Sequence, residues 1–137
     1  MSAFTKNTIV ISLFISFVVY SMTIDATAQE PQALLRQRLD AVRRAYKESY
    51  DLYREGRTRD VDRIYRWSKR WLEAEREVTT TQSEQIAALE GHWRRMKQLE
   101  DLMRNLSKAG VTAVVELAAV EYYRLDAEVA LSKARVK

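Results

Sequence analysis

The sequence predicts an all-α protein of two tandem antiparallel helical hairpins, folded as a four-helix bundle or as a coiled-coil array. The stretch Leu52–Asp62 returns further along the chain as the stretch Leu106–Glu116. The long segments around each copy place apolar residues three or four positions apart, which is the period of an amphipathic helix. No segment alternates apolar and polar residues for long enough to form a strand.

A glycine lies near the middle of each copy of the repeat. After a helix, only glycine takes the left-handed conformation without steric cost, so we expect both glycines to end helices. Each hairpin should therefore reverse direction at its glycine. The matched residues are Leu52 and Leu106, Gly56 and Gly110, Thr58 and Thr112, Val61 and Val115, and the acids Asp62 and Glu116.

The first hairpin, repeat 1, is predicted over about residues 32–78. Helix 1 should run from about Gln32 to Glu55, because Pro31 is tolerated only before a helix or in its first turn. Thr58 should cap helix 2, which runs from about Arg59 to Val78. The stripes expected in the core are Leu35, Leu39, Val42, Tyr46, Tyr50 and Tyr53 in helix 1, and Val61, Ile64, Trp67, Trp71, Ala74 and Val78 in helix 2.

The second hairpin, repeat 2, is predicted over about residues 82–137. Thr81 and Glu84 have the spacing of a capping box, which should start a helix that runs to about Ala109. Helix 4 should cover about residues 113–135, where additional alanines allow close helix approach. The expected stripes are Ile86, Leu89, Trp93, Met96, Leu99, Met103 and Leu106 in helix 3, and Val115, Ala118, Tyr122, Leu125 and Val129 in helix 4.

The N-terminal segment, residues 1–28, is typical of an export signal. Lys6 precedes an apolar run from Ile9 to Tyr20, and Ala26-Thr27-Ala28 has the small-x-small form that signal peptidase accepts. We therefore interpret residues 1–28 as a cleaved signal peptide and residues 29–137 as the helical domain. An uncleaved anchor is the alternative, although the run is shorter than the roughly 20 residues that a spanning helix needs. The expected location is the periplasm.

Composition excludes several classes of function. The chain has no cysteine, which rules out disulfides and thiolate chemistry, so its stability must come from packing. Its net charge of +4 would suit nucleic acid, but export separates it from that partner. Basic residues are dense over residues 54–70. Because acids are interspersed among them, a solvated face explains this stretch, and a patch for an acidic partner or anionic lipid is the alternative.

Residues for catalysis, cofactor binding or metal binding are not recognisable in this sequence. The single histidine, His92, lacks a glutamate three residues before it, where Leu89 stands instead. We expect His92 at the surface or at its boundary. Since there is also no glycine-rich phosphate loop and no histidine-based triad, we expect a protein that is not an enzyme.

The two turns resemble those of the TolC-type outer-membrane efflux protein family, a tandem repeat whose helices pair into periplasmic hairpins. The family's turn has the form aromatic-x-x-Gly, then a short link with Thr or Val, then an acid six residues after the glycine. The stretch Glu121 to Arg135 is similar to the alanine-rich helix after the family's second turn. The turns here are Tyr53-Arg-Glu-Gly56-Arg-Thr58 with Asp62, and Gly110-Val-Thr112 with Glu116.

This resemblance covers most of Leu35 to Lys137 and implies a function in protein interaction. In the family the turns form the periplasmic tip that meets an adaptor protein, so the resemblance implies an efflux adaptor or another envelope component as partner, or self-association. It also implies a link to the outer membrane. The chain lacks the family's membrane strands and about half of its helical length, so it cannot by itself form the channel. The implied tip residues are Gly56, Thr58, Asp62, Gly110, Thr112 and Glu116.

Two other functions are compatible with the sequence. The first is a periplasmic helical chaperone or stress-sensing protein that holds clients on an Arg-rich, aromatic-bearing face. The second is a structural coiled-coil spacer. Binding to an unrelated unfolded protein, and weakening of that binding by salt, would distinguish the chaperone from the other two functions.

Overall fold

Four helices form the part of the protein that the structure describes. The structure is a computed structural model that describes residues 5–111 and 114–136, with side chains from residue 30 onward. Helix α1 spans Thr5–Arg54, α2 Val61–Val78, α3 Gln82–Lys108 and α4 Val114–Val136, and none of the described residues is in a strand. The predicted all-α class is confirmed. The chain divides into two units, the second of which covers Leu35–Lys137 and contains both glycine turns.

Helices α1 and α2 form the first antiparallel hairpin. Arg38 of α1 pairs with Glu77 of α2 at 2.6 Å, and further along α1 the Tyr46 ring meets the Trp71 ring edge-on, with centroids 5.5 Å apart. Residues nearer the end of α1 therefore contact residues nearer the start of α2. The two helices run in opposite directions, as the sequence predicts.

Helices α3 and α4 form the second antiparallel hairpin in the same way. Glu90 near the start of α3 pairs with Arg135 near the end of α4 at 2.5 Å. Glu100, a buried carboxylate further along α3, pairs with Arg124 of α4 at 2.7 Å. These two ion pairs fix the register of α4 on α3.

The two hairpins share one apolar core. Its largest cluster draws buried side chains from all four helices, which supports the predicted bundle. Smaller clusters continue the core away from the glycine turns, one among α2, α3 and α4 and one between α1 and α2. The buried members of the largest cluster are Tyr46, Tyr53, Val61, Ile64, Met96, Leu99, Met103, Val120 and Ala127.

In the described residues from position 30 onward, no helical segment combines the length and the apolar character that a bilayer crossing requires.

Two predicted helix starts are wrong and one is confirmed. Helix α1 passes through Pro31 instead of starting after it, although an interior proline removes one backbone hydrogen bond and crowds the carbonyl four residues earlier. Asp60, not Thr58, caps α2, since its carboxylate accepts the Arg63 amide hydrogen at 2.9 Å. The capping box at the start of α3 is present, with Thr81 and its partner three residues later each accepting the other's amide hydrogen.

The stripe predicted to bury α4 is wrong. Its four large side chains are exposed by between 44% and 73%, and Ala118 is exposed too. The helix is apolar on two faces, and the face with more alanines packs on the bundle because small side chains let helix axes approach closely. Val120, Ala127 and Leu131 are the residues that α4 buries. The exposed residues are Val115, Ala118, Tyr122, Leu125 and Val129, and we call this set the α4 seam.

His92 is buried, contrary to the expected surface or boundary position. Only 1% of it is exposed, and its Nδ1 lies 2.8 Å from the Ser68 hydroxyl. Because that hydroxyl oxygen accepts a hydrogen bond from Arg95 Nε at 2.9 Å, its own hydrogen is free to be donated to Nδ1. The Arg95 guanidinium in turn lies over the Trp71 ring, 3.9 Å from the centroid. These residues form a polar cluster inside the bundle.

Candidate functional site

The first glycine turn closes α1 with a Schellman motif. Gly56 has a φ of +71° and donates its amide hydrogen to the Tyr53 carbonyl at 2.9 Å. The next residue, Arg57, donates to the Leu52 carbonyl at 2.9 Å. This pair of bonds defines the motif and satisfies carbonyls that the helix end leaves free.

The second glycine turn repeats this geometry at the end of α3. Gly110 also has a φ of +71° and donates to the Ser107 carbonyl at 2.9 Å, and Val111 donates to the Leu106 carbonyl at 2.9 Å. All four positions match their counterparts in the first turn one for one along the repeat. The sequence repeat is therefore also a repeat of backbone structure, and the predicted role of both glycines is confirmed.

The two turns lie side by side at one end of the bundle. Arg59, in the link after the first turn, donates from Nη1 to the Val111 carbonyl of the second turn at 2.8 Å. Residues of both turns line a small groove of about 200 Å³. We call this surface the turn groove, and its lining is Tyr53, Arg54, Glu55, Gly56, Thr58, Arg59, Leu106 and Val111.

Polar side chains hold the first link in place. The Thr58 hydroxyl oxygen accepts the Asp60 amide hydrogen at 3.2 Å, and the Asp60 carboxylate both caps α2 and pairs with Arg66 at 3.3 Å. Thr58 therefore hydrogen-bonds to the capping residue Asp60 instead of capping α2 itself, as the sequence had predicted. Its methyl-bearing side chain lines the turn groove, so it remains a candidate contact residue.

Asp62 is not in the turn groove, although it is one of the expected tip residues. It accepts a hydrogen bond from the Tyr123 hydroxyl of α4, while Tyr65 of α2 donates to Asp126 of α4 at 3.3 Å. The two tyrosine rings stack between these bonds, with centroids 4.0 Å apart. We call these four residues the Tyr–Asp clasp, which joins the two helices that follow the glycine turns.

The environment of the clasp raises the pKa of both phenols. Burial, followed by the Asp126 carboxylate, raises the pKa of Tyr65 to about 12. Burial and the hydrogen bond to Asp62 raise the pKa of Tyr123 above its usual value. Both hydroxyls therefore remain donors over the physiological pH range.

The remaining expected tip residues belong to the second turn. Gly110 shapes the turn, and its neighbour Val111 supplies the groove contact. Glu116 is half-buried in the first turn of α4. Thr112 lies outside the described residues. The structure therefore brings Gly56, Thr58 and the second turn together and places Asp62 in the clasp.

Sequence reasoning missed the residues that connect the hairpins. Arg59 was counted only as one of several basic residues, and Tyr65 and Tyr123 had no assigned role. One sequence pattern matches the clasp once the structure is known: Asp62-x-x-Tyr65 and Tyr123-x-x-Asp126 have the same spacing in opposite order. Among the described residues, no group of three His, Cys, Asp or Glu side chains could hold a metal ion.

The function of this chain has to be inferred from its geometry, because known proteins offer no match. No protein-family model, no curated protein and no solved structure matches the chain. The resemblance to TolC-type proteins therefore rests on the turn residues and on the stretch Glu121 to Arg135 quoted above.

Replacing Tyr123 by phenylalanine should weaken the clasp. Tyr123→Phe keeps the stacked ring but removes the donor to Asp62, and we expect the free energy of unfolding to fall by about 1 kcal/mol. The matched control is Tyr122→Phe, because Tyr122 is exposed and should change stability by less than about 0.5 kcal/mol. Denaturant unfolding of both variants measures the difference, and equal losses would contradict the clasp.

Proposed function

We propose that this protein is an exported, non-enzymatic helical interaction protein that binds a partner in the cell envelope through its glycine-turn end. The proposed role is in efflux or in assembly of an efflux machine. The observation that carries the proposal is the pairing of two identical Schellman turns at one end, joined by the hydrogen bond from Arg59 to the Val111 carbonyl.

The turn groove has the properties of a preformed binding surface. Its backbone is fixed by four turn hydrogen bonds and its link by a capped helix, so little ordering entropy remains to be lost on binding. Its lining combines apolar side chains with the exposed charges of Arg54 and Glu55. Such a surface suits a protein partner better than a small molecule, since its volume of about 200 Å³ is below the roughly 300–1,000 Å³ of small-molecule pockets.

The family resemblance supports the same end of the molecule. Hairpin tips of TolC-type proteins meet an adaptor, and the tips here have the family's glycine and its acid six residues later. Within the described residues there are helices and no strands, so the proposed role is that of a tip without a channel. Asp62 would contribute indirectly, by clamping α4 through the clasp instead of by lining the tip.

Co-purification from the envelope of an exporting bacterium tests this proposal. We expect wild-type protein to recover an efflux adaptor or another defined outer-membrane component. Glu55→Arg, which changes an exposed charge in the turn groove, should reduce that recovery. The matched control is Ser83→Arg, an exposed site at the other end of α2 and α3, roughly 27 Å away along a helix of 18 residues.

A double variant, Gly56→Pro with Gly110→Pro, provides the strongest perturbation of the tip. Proline cannot adopt a φ of +71° and has no amide hydrogen for the turn, so both Schellman motifs should be lost. Recovery of no envelope component by wild-type protein, or equal recovery by wild type, Glu55→Arg and the double variant, would contradict the proposal.

The mature protein should begin at Gln29. Removal of residues 1–28 is expected because the apolar run is followed by Ala26-Thr27-Ala28. N-terminal sequencing of protein recovered from an exporting host checks this directly. Recovery of protein that begins at Met1 in the cytoplasmic fraction would contradict the proposed export and the proposed partner in the cell envelope.

A second candidate function is that of a chaperone or stress-sensing protein in the periplasm. One groove between α1 and α2, of about 390 Å³, has the Arg-rich and aromatic lining that this function requires. There the Arg70 guanidinium covers the Trp67 ring at 4.7 Å. If this groove holds clients, the protein will slow aggregation of an unrelated unfolded protein, and Arg70→Glu will weaken the effect.

A further inference from the structure

A second groove lies at the end of the bundle opposite the turn groove. The end of α2, the start of α3 and the end of α4 form its walls. Its volume of about 520 Å³ is within the roughly 300–1,000 Å³ of small-molecule sites. We call this surface the end groove, and the residues that matter in it are Arg76, Gln85, Ile86, Ala130, Lys133 and Ala134.

The floor of the end groove is apolar. Ile86 of α3 and the alanines Ala130 and Ala134 of α4 are partly exposed there, and all three pack against the core cluster that joins α2, α3 and α4. The short side chains of the two alanines leave space beside α3. A hydrocarbon group placed in this space would remove apolar surface from water, which is favourable.

The charge of the end groove is positive and uncompensated. Arg76 and Lys133 line it and are exposed, and neither makes an ion pair within the part of the chain that the structure describes. Among the described residues, no acidic side chain lines the groove. The acids next to lining residues in the sequence have other partners: Glu75 pairs with Arg43, Glu77 with Arg38 and Glu90 with Arg135, and Glu84 hydrogen-bonds to Thr81.

Neutral groups hold the Arg76 side chain in the groove. Its Nε donates to Gln85 Oε1 at 2.6 Å, and Gln85 Nε2 donates to the Arg76 carbonyl at 2.8 Å. The same amide nitrogen also donates to the Thr79 hydroxyl at 2.7 Å. Because an amide fixes the guanidinium without neutralising it, the positive charge and the two terminal nitrogens of Arg76 remain open to an anion.

We infer that the end groove binds one small amphipathic anion, with a carboxylate, sulfate or phosphate head paired with Arg76 and Lys133 and a hydrocarbon tail on the apolar floor. The two cations select the charge of the head, and burial of the tail supplies affinity. Because Gln85 already positions Arg76, less side-chain entropy is lost on binding. This site does not depend on the function proposed for the turn groove.

A free molecule suits the end groove better than a membrane surface. Segments that bind anionic lipid surfaces carry clusters of about 4–8 Lys or Arg, whereas two basic side chains line this groove. The head of a single ligand needs only two such partners. We therefore assign the groove to a dissolved amphiphile.

Three small molecules probe the two halves of the site. Decanoate has both the anionic head and the tail, decyltrimethylammonium reverses the charge of the head, and acetate lacks the tail. NMR titration of amide shifts, at concentrations below micelle formation, should show that decanoate binds at least about tenfold more tightly than either of the others. The largest shift changes should occur at the residues of the end groove.

A charge variant tests the head site. Arg76→Glu with Lys133→Glu should weaken decanoate binding at least about tenfold. The matched control is Arg44→Glu with Lys108→Glu, at two exposed basic residues outside the groove, and it should bind as wild type does. Each double variant exchanges two positive charges for two negative ones, which takes the net charge from +4 to zero. Lys108 and Lys133 are also alike in lying in the last turn of a helix.

A bulky side chain on the floor tests the tail site. Ala134→Trp fills the groove without changing its charge and should weaken decanoate binding at least about fivefold. Ala118→Trp is the control, at an exposed alanine of the same helix outside the groove, and should leave binding unchanged. Circular dichroism checks that each variant keeps its helix content.

Several outcomes would overturn the inference. Absence of decanoate binding, equal binding of decyltrimethylammonium, or equal binding of acetate would each do so. Equal losses in the two double variants would show a general effect of charge. Association with phosphatidylglycerol vesicles through Arg76 and Lys133, without binding of free decanoate, would make the groove a membrane contact. Decanoate binding that only the groove variants weaken supports the inference.

Discussion

Acidification from pH 7 to pH 4 is expected to lower the free energy of unfolding by about 3 kcal/mol through His92 alone. Burial, followed by the positive charges of Arg95 and Lys69, lowers the pKa of His92 from 6.5 to about 3. Between these two values the unfolded chain binds a proton that the folded chain does not. Stability must therefore fall as the pH drops below about 6.5, and the loss continues until about pH 3.

His92→Gln isolates this contribution. Glutamine offers Ser68 an acceptor but does not titrate, so the variant should lose less stability than wild type over the same pH range. The carboxylates whose pKa is lowered, such as Asp51 and Glu84, titrate equally in both proteins and cancel in the comparison. Urea unfolding of both proteins at pH 7, 5.5 and 4 gives the difference, and identical pH profiles would show that His92 is not buried in solution.

Alanine at either turn glycine is expected to lower the free energy of unfolding by about 1–2 kcal/mol. Gly56 and Gly110 both have a φ of +71°, where a Cβ crowds its own backbone. No other atom lies within 4 Å of the position that this Cβ would occupy, so the cost arises from the backbone alone. The two losses should add in the double variant, because each turn has its own hydrogen bonds.

Gly91→Ala is the matched control within a helix. Alanine favours a helix by about 1 kcal/mol over glycine. The new Cβ would lie 3.3 Å from Arg95 Nη1, and that guanidinium is held by Ser68 and Trp71. These effects oppose each other, so stability should stay within about 1 kcal/mol of wild type. If Gly56→Ala and Gly110→Ala were as harmless as Gly91→Ala, the left-handed turns would be wrong.

The local features of the fold could be predicted because short-range rules determine them. A glycine after an amphipathic helix marks a Schellman turn, and Thr81 followed by Glu84 marks a capping box, whatever the rest of the chain does. The stripes of α1 to α3 were predictable for a similar reason, since each of these helices has one dominant apolar face. Asp60 was missed as a cap because Thr58 and Asp60 are both good cap residues two positions apart.

Features that depend on packing between helices could not be predicted in this way. Helix α4 has two apolar faces, and its own periodicity does not say which of them meets the bundle. The choice depends on the alanines and on Glu100 of α3, whose partner Arg124 is on another helix. His92 was misplaced because Ser68 and Arg95, which make its burial tolerable, lie on α2 and one turn along α3.

The candidate site shows the same division between local and long-range information. Its two turns were predicted from the repeat, whereas the bond from Arg59 to Val111 joins residues 52 positions apart and has no signature in the sequence. Asp62, the acid six residues after the first glycine, was expected at the tip, but it accepts a hydrogen bond from Tyr123 and lies in the clasp. The repeat thus predicted the turns, and the resemblance implied the tip position of Asp62, which packing against α4 replaces with a position in the clasp.

The distance between the two glycine turns tests the proposed tip most directly. The chain has no cysteine, so spin labels can be placed at Glu55→Cys and Ala109→Cys, two exposed and repeat-equivalent positions at the ends of α1 and α3. Pulsed electron paramagnetic resonance should give a narrow distribution below about 25 Å, since neighbouring helix axes lie about 10 Å apart. A distribution centred beyond about 40 Å, the length of a 27-residue helix, would place the turns at different ends and contradict the shared tip.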